Sequence, residues 1–384
     1  MLLPILLLSA AGFTVLTTEF IIVGLLPAIA RDLEVSVPQA GLLVTLFAFT
    51  VAAFGPFLTA YCARFERKRL FVTVLVMFGL ANTLAALAPN IGVMALARLI
   101  PALGLPVFWA LASETAVGIV GSDYAGRAIA KIGFGIVCAT VFGIPVGTLI
   151  SDAFGWRSAF AILAVVAFAK ALLLFIYLPR TNLHKQQVSL RSQLQILRSP
   201  LMQGHVLLSI LVFSGMFTAY TYLADILERL AGFNGTVVGW CLMGFGAVGL
   251  IGNSLGGRAV DRHPLMASMV FCALMIGGMV ALVPAIHSTL GLAAAMGIWG
   301  VTQAALFLVS HVRLMKAAPE APAFAASLNI AGANLGIGLG AMVGGRVIDT
   351  LGLGSLGFAA AGFILVSIVL ALLLMGAKPR SACA

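Results

Sequence analysis

The chain has 384 residues, of which 62% are hydrophobic and only 9% are charged, and its formal net charge is +10. About a quarter of the residues of a soluble domain are charged, so this composition leaves too few polar side chains to cover a surface in water. It excludes an ordinary soluble protein, and the mean hydropathy of +1.14 indicates that a bilayer is the solvent for most of the chain.

Apolar runs of about 20 residues, the length that crosses a bilayer as a helix, recur from the beginning of the chain to its end. Runs of this length without alternation exclude membrane strands. The first run has no basic segment and no small-residue cleavage site, so we expect it to be retained rather than removed as a signal peptide. We predict twelve membrane helices, at residues 5–30, 39–62, 70–88, 91–118, 128–150, 158–178, 201–226, 235–257, 264–284, 289–312, 322–348 and 354–377.

The basic residues cluster in alternate loops, which explains the net charge without nucleic acid as a partner. By the positive-inside rule, the richer side and both termini are predicted to be cytoplasmic. That side carries Arg64, Arg67, Lys68, Arg69, Arg127, Lys131, Arg180, Lys185, Arg191, Arg198, Arg258, Arg262, Arg313, Lys316, Lys378 and Arg380. The opposite side carries only Arg31, Arg157, Arg229 and Arg346. The five cysteines lack metal-type spacing, so we expect no disulfide and no metal site.

The longest polar stretch divides the predicted helices into six and six. We therefore predict an N-terminal bundle at 1–178, a cytoplasmic linker at 179–200 with a short surface helix near 188–197, and a C-terminal bundle at 201–384. The halves share one spacing, because Gly41 precedes Arg64 by 23 positions and Gly239 precedes Arg262 by the same 23. This spacing falls on helices 2 and 8, which are partners if the halves are parallel repeats.

The loops after helices 2 and 8 resemble the signature of the major facilitator superfamily, G-x-x-x-D-R-x-G-R-[KR]. The second half retains Gly257, Asp261 and Arg262. The first half retains Arg64, Arg67 and Lys68, but it has Thr59, Ala63 and Glu66 where the signature has Gly, Asp and Gly. The resemblance implies an all-α integral membrane fold of twelve helices in two pseudo-symmetric six-helix bundles. The departures put in doubt whether the first loop locks its helices as it does elsewhere in the family.

Helix 5 contains Gly143, Pro145 and Gly147, followed by Gly155-Trp156-Arg157, and this segment resembles the antiporter motif of proton-coupled exporters. Ordinary packing of small residues is the other explanation for these glycines. Together with Thr18-Glu19-Phe20, the segment 24–33 and Arg98, the motif resembles the drug:proton antiporter-1 family and its bacterial sugar-efflux and chloramphenicol-efflux branch. Pro101 and Ala102 depart from the family's Gln and Gly after the arginine, whereas Gly104 matches.

This resemblance implies a monomer in the bacterial cytoplasmic (inner) membrane that binds protons and a small-molecule substrate. The proton gradient would be its energy source, and no cofactor is expected.

Charges within the bilayer cost roughly 3 kcal/mol each at its centre and therefore call for a reason. At 1.5 Å per residue, Glu19 lies ~21 Å from one end of helix 1 and Arg98 ~10 Å from the opposite end of helix 4, which gives similar depths in a core of ~30 Å. We predict that this pair couples protons to transport, and a purely structural ion pair is the alternative. Glu114 points about 160° away from Arg98, so we expect a structural pair with Arg64 or Arg67. Lys170 is expected to snorkel on the outside of its bundle.

Polar and aromatic side chains at membrane depth are candidates for a central cavity. They are Trp109, Tyr220, Tyr222, Gln303, Asn329 and Asn334. Packing or cross-linking of helices is the other reading of each. Asp225 and Glu228 are expected to be solvated at the outer end of helix 7, and His205, His263, His287 and His311 to lie at the membrane interface.

We interpret the chain as a proton-coupled exporter of a small organic solute, such as a sugar, a nucleoside or a drug, that works by alternating access. An enzyme is disfavoured because the chain has no H-E-x-x-H or P-loop motif, and the missing P-loop also argues against an ATP-driven pump. A proton-independent facilitator or an importer on the same fold is the open alternative.

Overall fold

The computed structural model describes residues 2–120, 125–179, 199–319 and 322–376. In this part of the chain, twelve helices are long and apolar enough to cross a membrane, as predicted. Helices 1 to 6 are Leu2–Asp32, Val37–Cys62, Arg67–Ala86, Ile91–Val120, Ala125–Phe154 and Trp156–Tyr177. Helices 7 to 12 are Pro200–Arg229, Gly235–Arg262, Pro264–Leu282, Thr289–Ala317, Pro322–Leu351 and Leu356–Gly376. The predicted surface helix near 188–197 lies outside the described residues.

Two helices that were predicted as continuous are interrupted. Helix 5 runs from Ala125 to Cys138, widens into a π turn at Ala139–Gly143, and resumes at Ile144. Pro145 has no N–H for the carbonyl one turn earlier, and the π turn lies at this place. Helix 7 stops at Tyr220, and a second short segment runs from Leu223 to Arg229.

The chain forms two compact units, whose boundary departs in one place from the predicted halves. The first unit comprises Met1–Lys185 together with Thr221–Gly246, and the second comprises Gln186–Tyr220 together with Ala247–Ala384. The last turns of helix 7 and the first half of helix 8 therefore pack with the N-terminal helices. The interruption of helix 7 coincides with this change of unit.

The core of the first unit surrounds helix 1. Leu8, Ala11 and Val15 of this helix are completely buried in a cluster that also contains Phe71 and Phe108. In the most apolar 18 residues of helix 1, 78% are buried, whereas the corresponding share in helix 6 is 39%. Helix 1 is therefore central to its unit, and the side chains that contact it define the interior.

In the second unit, helices 7 and 11 approach each other through glycines. A Cβ on Gly336 would lie within 3.0 Å of the backbone of Ser214, and one on Gly340 would lie 2.9 Å from the amide nitrogen of Thr218. Only the smallest residue permits such backbone contact, so larger side chains at these two positions would push the helices apart.

Candidate functional site

The side chain of Arg98 binds the backbone of helix 1. Two turns into helix 4, its guanidinium donates one hydrogen bond of 2.5 Å to the carbonyl of Thr18 and one of 2.6 Å to the carbonyl of Glu19. The side chain is only 2% exposed. The structure therefore brings Glu19 and Arg98 together at one depth, but through the main chain of Glu19 rather than through its carboxylate.

Two further side chains fix this arrangement. The guanidinium carbon of Arg98 lies 4.5 Å from the ring centroid of Phe47 on helix 2, a cation–π contact. Asn82 on helix 3 donates a hydrogen bond of 3.1 Å to the hydroxyl of Thr18, and both residues are 1% exposed. Asn82 was not identified from the sequence, because an isolated asparagine in an apolar helix gives no periodic signal.

The carboxylate of Glu19 has no partner among the described residues, in hydrogen bonds or in ion pairs, and the residue is 8% exposed. A buried carboxyl group without a hydrogen-bonded partner is costly when ionised. Glu19 therefore has the environment of a group that can gain and lose a proton, while the position of Arg98 is fixed by other atoms.

The predicted antiporter motif of helix 5 lies directly against helix 1. A Cβ on Gly143 would collide with the hydroxyl of Thr17, and one on Gly147 would collide with Ile21. From the other side, Gly24 faces Thr148 in the same way. The small residues thus bring helix 5 into close contact with the helix that carries Glu19, and the π turn ends in this seam at Gly143.

The end of the motif ties helix 1 to helix 6. Gly155 has a φ of 84°, which favours glycine, and it lets the chain turn sharply between helices 5 and 6. The indole of Trp156 donates a hydrogen bond of 3.2 Å to Asp32 at the end of helix 1. Arg157 forms an ion pair with the same carboxylate and donates a hydrogen bond of 2.9 Å to the carbonyl of Ala88.

Lys170 does not snorkel outward as expected. Its ammonium group donates hydrogen bonds of 2.5 Å to the carbonyl of Ala10 and 2.7 Å to the hydroxyl of Thr14, both on helix 1. The expectation was wrong because a long flexible side chain can turn either way, and unpaired carbonyl lone pairs on helix 1 are within its reach. Two cations, Arg98 and Lys170, therefore hold helix 1 at two levels.

The loop residues after helix 2 form the structural pair expected for Glu114. Arg67 begins helix 3 and is 3% exposed. It lies 3.3 Å from the Glu114 carboxylate and donates a hydrogen bond of 2.8 Å to the carbonyl of Ala63. Arg64 stacks over Tyr61 at 3.8 Å instead, and Lys68 lies 5.4 Å from the ring centroid of Phe175. Helix 4 thus supplies the acid that the first loop lacks at Ala63.

In the second unit the loop after helix 8 also contacts a charge, but there helix 10 supplies the cation and the loop supplies the acid. Lys316 on helix 10 donates hydrogen bonds of 3.0 Å to the carbonyls of Val260 and Asp261, and it lies 3.6 Å from the Asp261 carboxylate. Gly257 faces Leu308 of helix 10 at ordinary contact distance, and Arg262 is exposed at the end of helix 8.

Four candidate cavity residues, Tyr220, Gln303, Asn329 and Asn334, lie in the second unit. Gln303 accepts a hydrogen bond of 2.9 Å from the indole of Trp299, whose ring packs edge-on against Tyr220 at 6.4 Å. Asn329 accepts a hydrogen bond of 3.0 Å from Ser209 on helix 7. Asn334 donates to the carbonyl of Ile330 in its own helix, and its side-chain oxygen is buried without a partner among the described residues.

The two other cavity candidates belong to the first unit. Tyr222 is 1% exposed, and its hydroxyl packs where a Cβ of Gly41 would otherwise sit. Trp109 is partly buried and contacts helix 1 at Gly12, where a Cβ would lie 2.9 Å from its ring. That the six residues line one cavity stays a prediction.

Three charged or titratable residues are more deeply buried than the sequence indicated. Arg313 is 1% exposed and His205 is 7% exposed, although the first was assigned to a loop and the second to the interface. Asp225 is also 1% exposed and pairs with Arg229 at 3.3 Å, so it is not solvated as expected. Helix 10 continues to Ala317, beyond its predicted end at 312, and this places Arg313 inside the helix.

The twelve apolar helices of the described residues and the buried charges around helix 1 define a multi-pass membrane protein. A model of the Major Facilitator Superfamily matches residues 8–323 and 206–382, and the chain belongs to this family. It is therefore a membrane transporter of small solutes.

Curated relatives and solved structures agree with this assignment. The chain is 31% identical to the inner membrane transport protein YdhP of Escherichia coli O157:H7, over 99% of this chain and 98% of that protein. It is also 31% identical to a probable sugar efflux transporter of Pasteurella multocida, over 95% of this chain and 90% of that protein. A bacterial homologue of the human lysosomal transporter Spinster shares the fold, with a TM-score of 0.82 at 16% identity and coverage of 99% and 98%.

Proposed function

We propose that this transporter exports a small organic solute, of the sugar, nucleoside or drug-like class, in exchange for protons. The observation that carries the proposal is the Glu19 carboxyl group, buried on helix 1 without a described partner and next to an arginine held by other atoms. The relative described as a probable sugar efflux transporter supports both the solute class and the direction.

The geometry supports a specific sequence of protonation. Burial favours the neutral carboxyl group, whereas the nearby Arg98 charge favours the carboxylate, so the balance changes with the access of water to the site. When the site faces the more acidic outside, Glu19 takes up a proton. When it faces the cytoplasm, Glu19 releases the proton and the solute binds to the charged form.

Competition between proton and solute follows from this scheme. Because linkage between two sites is reciprocal, a solute that favours deprotonated Glu19 is released when Glu19 is protonated. Arg98 stays attached to the carbonyls of Thr18 and Glu19 throughout, so the proton changes the charge of the site without displacing helix 1.

The test compares Glu19→Gln with Glu114→Gln in inverted vesicles, with an imposed proton gradient and a panel of sugars, nucleosides and amphenicols. Glutamine at position 19 fixes the neutral form, so uphill transport should be lost while pH-independent binding or exchange persists. Glu114 pairs with Arg67 away from this site, and its variant should retain coupling. Wild-type uphill transport by Glu19→Gln would overturn the proposal, and gradient-independent transport by the native protein would indicate a facilitator.

For the orientation, we propose that both termini and the linker at 179–200 are cytoplasmic and that the transporter works as a monomer. The uneven distribution of Lys and Arg supports this topology. A single cysteine at Gln187 in a cysteine-free protein should react only with a membrane-permeant reagent. Labelling of intact cells by an impermeant reagent would reverse the orientation.

A further inference from the structure

A second buried arginine, Arg313, lies in the other unit without a carboxylate partner among the described residues. It is 1% exposed and sits near the end of helix 10. Its guanidinium lies 2.8 Å from Nδ1 of His205 and donates hydrogen bonds to the carbonyl of His205 at 3.1 Å and to the hydroxyl of Ser209 at 2.8 Å. All three acceptors belong to helix 7, so Arg313 ties helix 10 to helix 7.

The hydrogen-bond network extends to a third helix. Ser209 accepts from Arg313 and donates its own proton to the side-chain oxygen of Asn329 on helix 11, at 3.0 Å. Ser209 is completely buried and Asn329 is 4% exposed. A buried polar network of this kind is stable only when each member keeps its donor or acceptor role.

The partners fix the protonation state of His205. A guanidinium has five N–H donors and no acceptor, so Nδ1 of His205 must be the acceptor and the imidazole must carry its proton on Nε2. If Nδ1 bound a proton, it would lose this hydrogen bond and place a second positive charge 2.8 Å from Arg313. The hydrogen bond between Arg313 and the imidazole therefore exists only while His205 is neutral, and the two remaining hydrogen bonds of Arg313 would then have to hold it against a neighbouring positive charge.

Few other titratable groups on the neighbouring helices face this site. On helix 10, His311 lies two residues before Arg313 and thus on the opposite face, and Lys316 donates to the end of helix 8. Arg346 and Asp349 are at the far end of helix 11, and the described part of helix 12 has no ionisable side chain. Cys272 on helix 9 adjoins Arg313 and is 1% exposed.

We propose that His205 is a second proton-binding site of this transporter, at which a proton from the side where helix 7 begins breaks the hydrogen bond between Arg313 and the imidazole, repels the guanidinium and loosens helices 7 and 10. Under the proposed orientation this is the cytoplasmic side, so acidification of the cytoplasm slows transport. The proposal needs transport activity but does not need Glu19 to carry the coupled proton. A failed Glu19 test would therefore leave it intact.

Two substitutions mimic the two states of the site. His205→Asn offers an oxygen near the position of Nδ1 but cannot titrate, so it represents the neutral state. His205→Ala removes the acceptor and represents the released state at every pH. The exposed histidine at the start of helix 9 provides the matched control, His263→Asn.

The experiment measures solute transport by the purified, reconstituted protein as the pH on the helix 7 side is varied from 5 to 8, roughly the range in which histidine titrates. The wild type and His263→Asn should lose activity towards acid, His205→Asn should lose this acid inhibition, and His205→Ala should be slow throughout. An unchanged acid limb in His205→Asn, or full activity of His205→Ala at neutral pH, would overturn the proposal.

Thermal unfolding in detergent separates titration from simple structural damage. Because a proton on Nδ1 of His205 would break a hydrogen bond of the folded protein, acid should lower the Tm of the wild type, and the loss should appear as the pH falls through the ordinary histidine range. His205→Asn should show a smaller fall in Tm between neutral and acidic pH than the wild type. Equal falls in Tm would contradict the assignment even if His205→Ala failed to fold.

Discussion

Arg98 donates to the main-chain carbonyl of Glu19, at 2.6 Å, and not to its carboxylate. This relationship separates the two tasks that an ion pair would combine. The arginine binds the main chain of helix 1, and the carboxyl group of Glu19 has no hydrogen bond or ion pair among the described residues. The prediction that Glu19 and Arg98 couple protons to transport therefore takes the form of a fixed arginine beside an acid, and it stays a prediction.

The first prediction concerns the two carbonyls that Arg98 holds. A lysine at this position has a single nitrogen and cannot repeat the forked contact with Thr18 and Glu19, so Arg98→Lys should transport more slowly than the native protein. Arg98→Met should transport more slowly still, because it leaves the two carbonyls and Phe47 without a cation. It should also be less stable, since loss of hydrogen bonds to a charged group costs about 1.5–3 kcal/mol. Transport rates and the Tm in detergent test both variants.

A contrasting prediction concerns Lys170 of helix 6, the other cation that contacts helix 1. Its acceptors, the Ala10 carbonyl and the Thr14 hydroxyl, also take part in a hydrogen bond with each other at 3.3 Å. Lys170→Met therefore removes a half-buried charge that has no carboxylate partner among the described residues, without leaving a new unsatisfied group, and replacement by a hydrophobe of similar size is often neutral. The Tm and proton-driven transport should change little. A loss as large as that of Arg98→Met would show that Lys170 has a role in transport.

The seam between helices 1 and 5 yields a matched pair of alanine substitutions. Gly143→Ala would force a methyl group into the Thr17 hydroxyl, and overpacking of this kind typically costs about 1–3 kcal/mol. Gly133→Ala, in the same helix, meets nothing within 4 Å and should be tolerated. Transport and the quantity of folded protein should fall for the first variant only. Equal behaviour of the two would remove the argument for close packing at this motif.

A fourth prediction concerns the exposed end of helix 1. Arg31 lies 2.6 Å from Glu228 in the last segment of helix 7, and their side chains are 66% and 18% exposed. Reversing one charge, as in Arg31→Glu, should lower stability by about 0.2–1 kcal/mol, the usual range for an exposed pair. The double reversal Arg31→Glu with Glu228→Arg should restore it. A thermal-shift double-mutant cycle measures the coupling, which should weaken in high salt.

Hydropathy and helix geometry predicted much of this architecture. The twelve membrane helices follow from the length of the apolar runs, and the common level of Glu19 and Arg98 follows from the rise of 1.5 Å per residue in an α-helix. The pairing of Glu114 with Arg67 was also expected, since helix rotation directs Glu114 away from Arg98. These features depend on distances along a helix, and a sequence contains those distances.

The features that could not be predicted depend on which atoms meet between helices. A carbonyl oxygen is present at every residue, so the sequence could not show that Arg98 and Lys170 would choose those of helix 1. Arg313 was assigned to a loop because charge usually ends a membrane helix, but His205 and Ser209 supply acceptors that let it remain inside. The break after Tyr220 likewise has no glycine or proline to announce it.

The hydrogen bonds from Arg98 and Lys170 to helix 1 also have a consequence for biosynthesis. Helix 1 is made first, yet the residues that hold its carbonyls come 80 positions later for Arg98 and 160 positions later for Lys170. At roughly 5–20 residues per second, these intervals are about 4–16 s and 8–32 s. During this time the carbonyls of Ala10, Thr18 and Glu19 lack these partners. A chain that ends before helix 4 would therefore contain helix 1 without either of the cations that contact it.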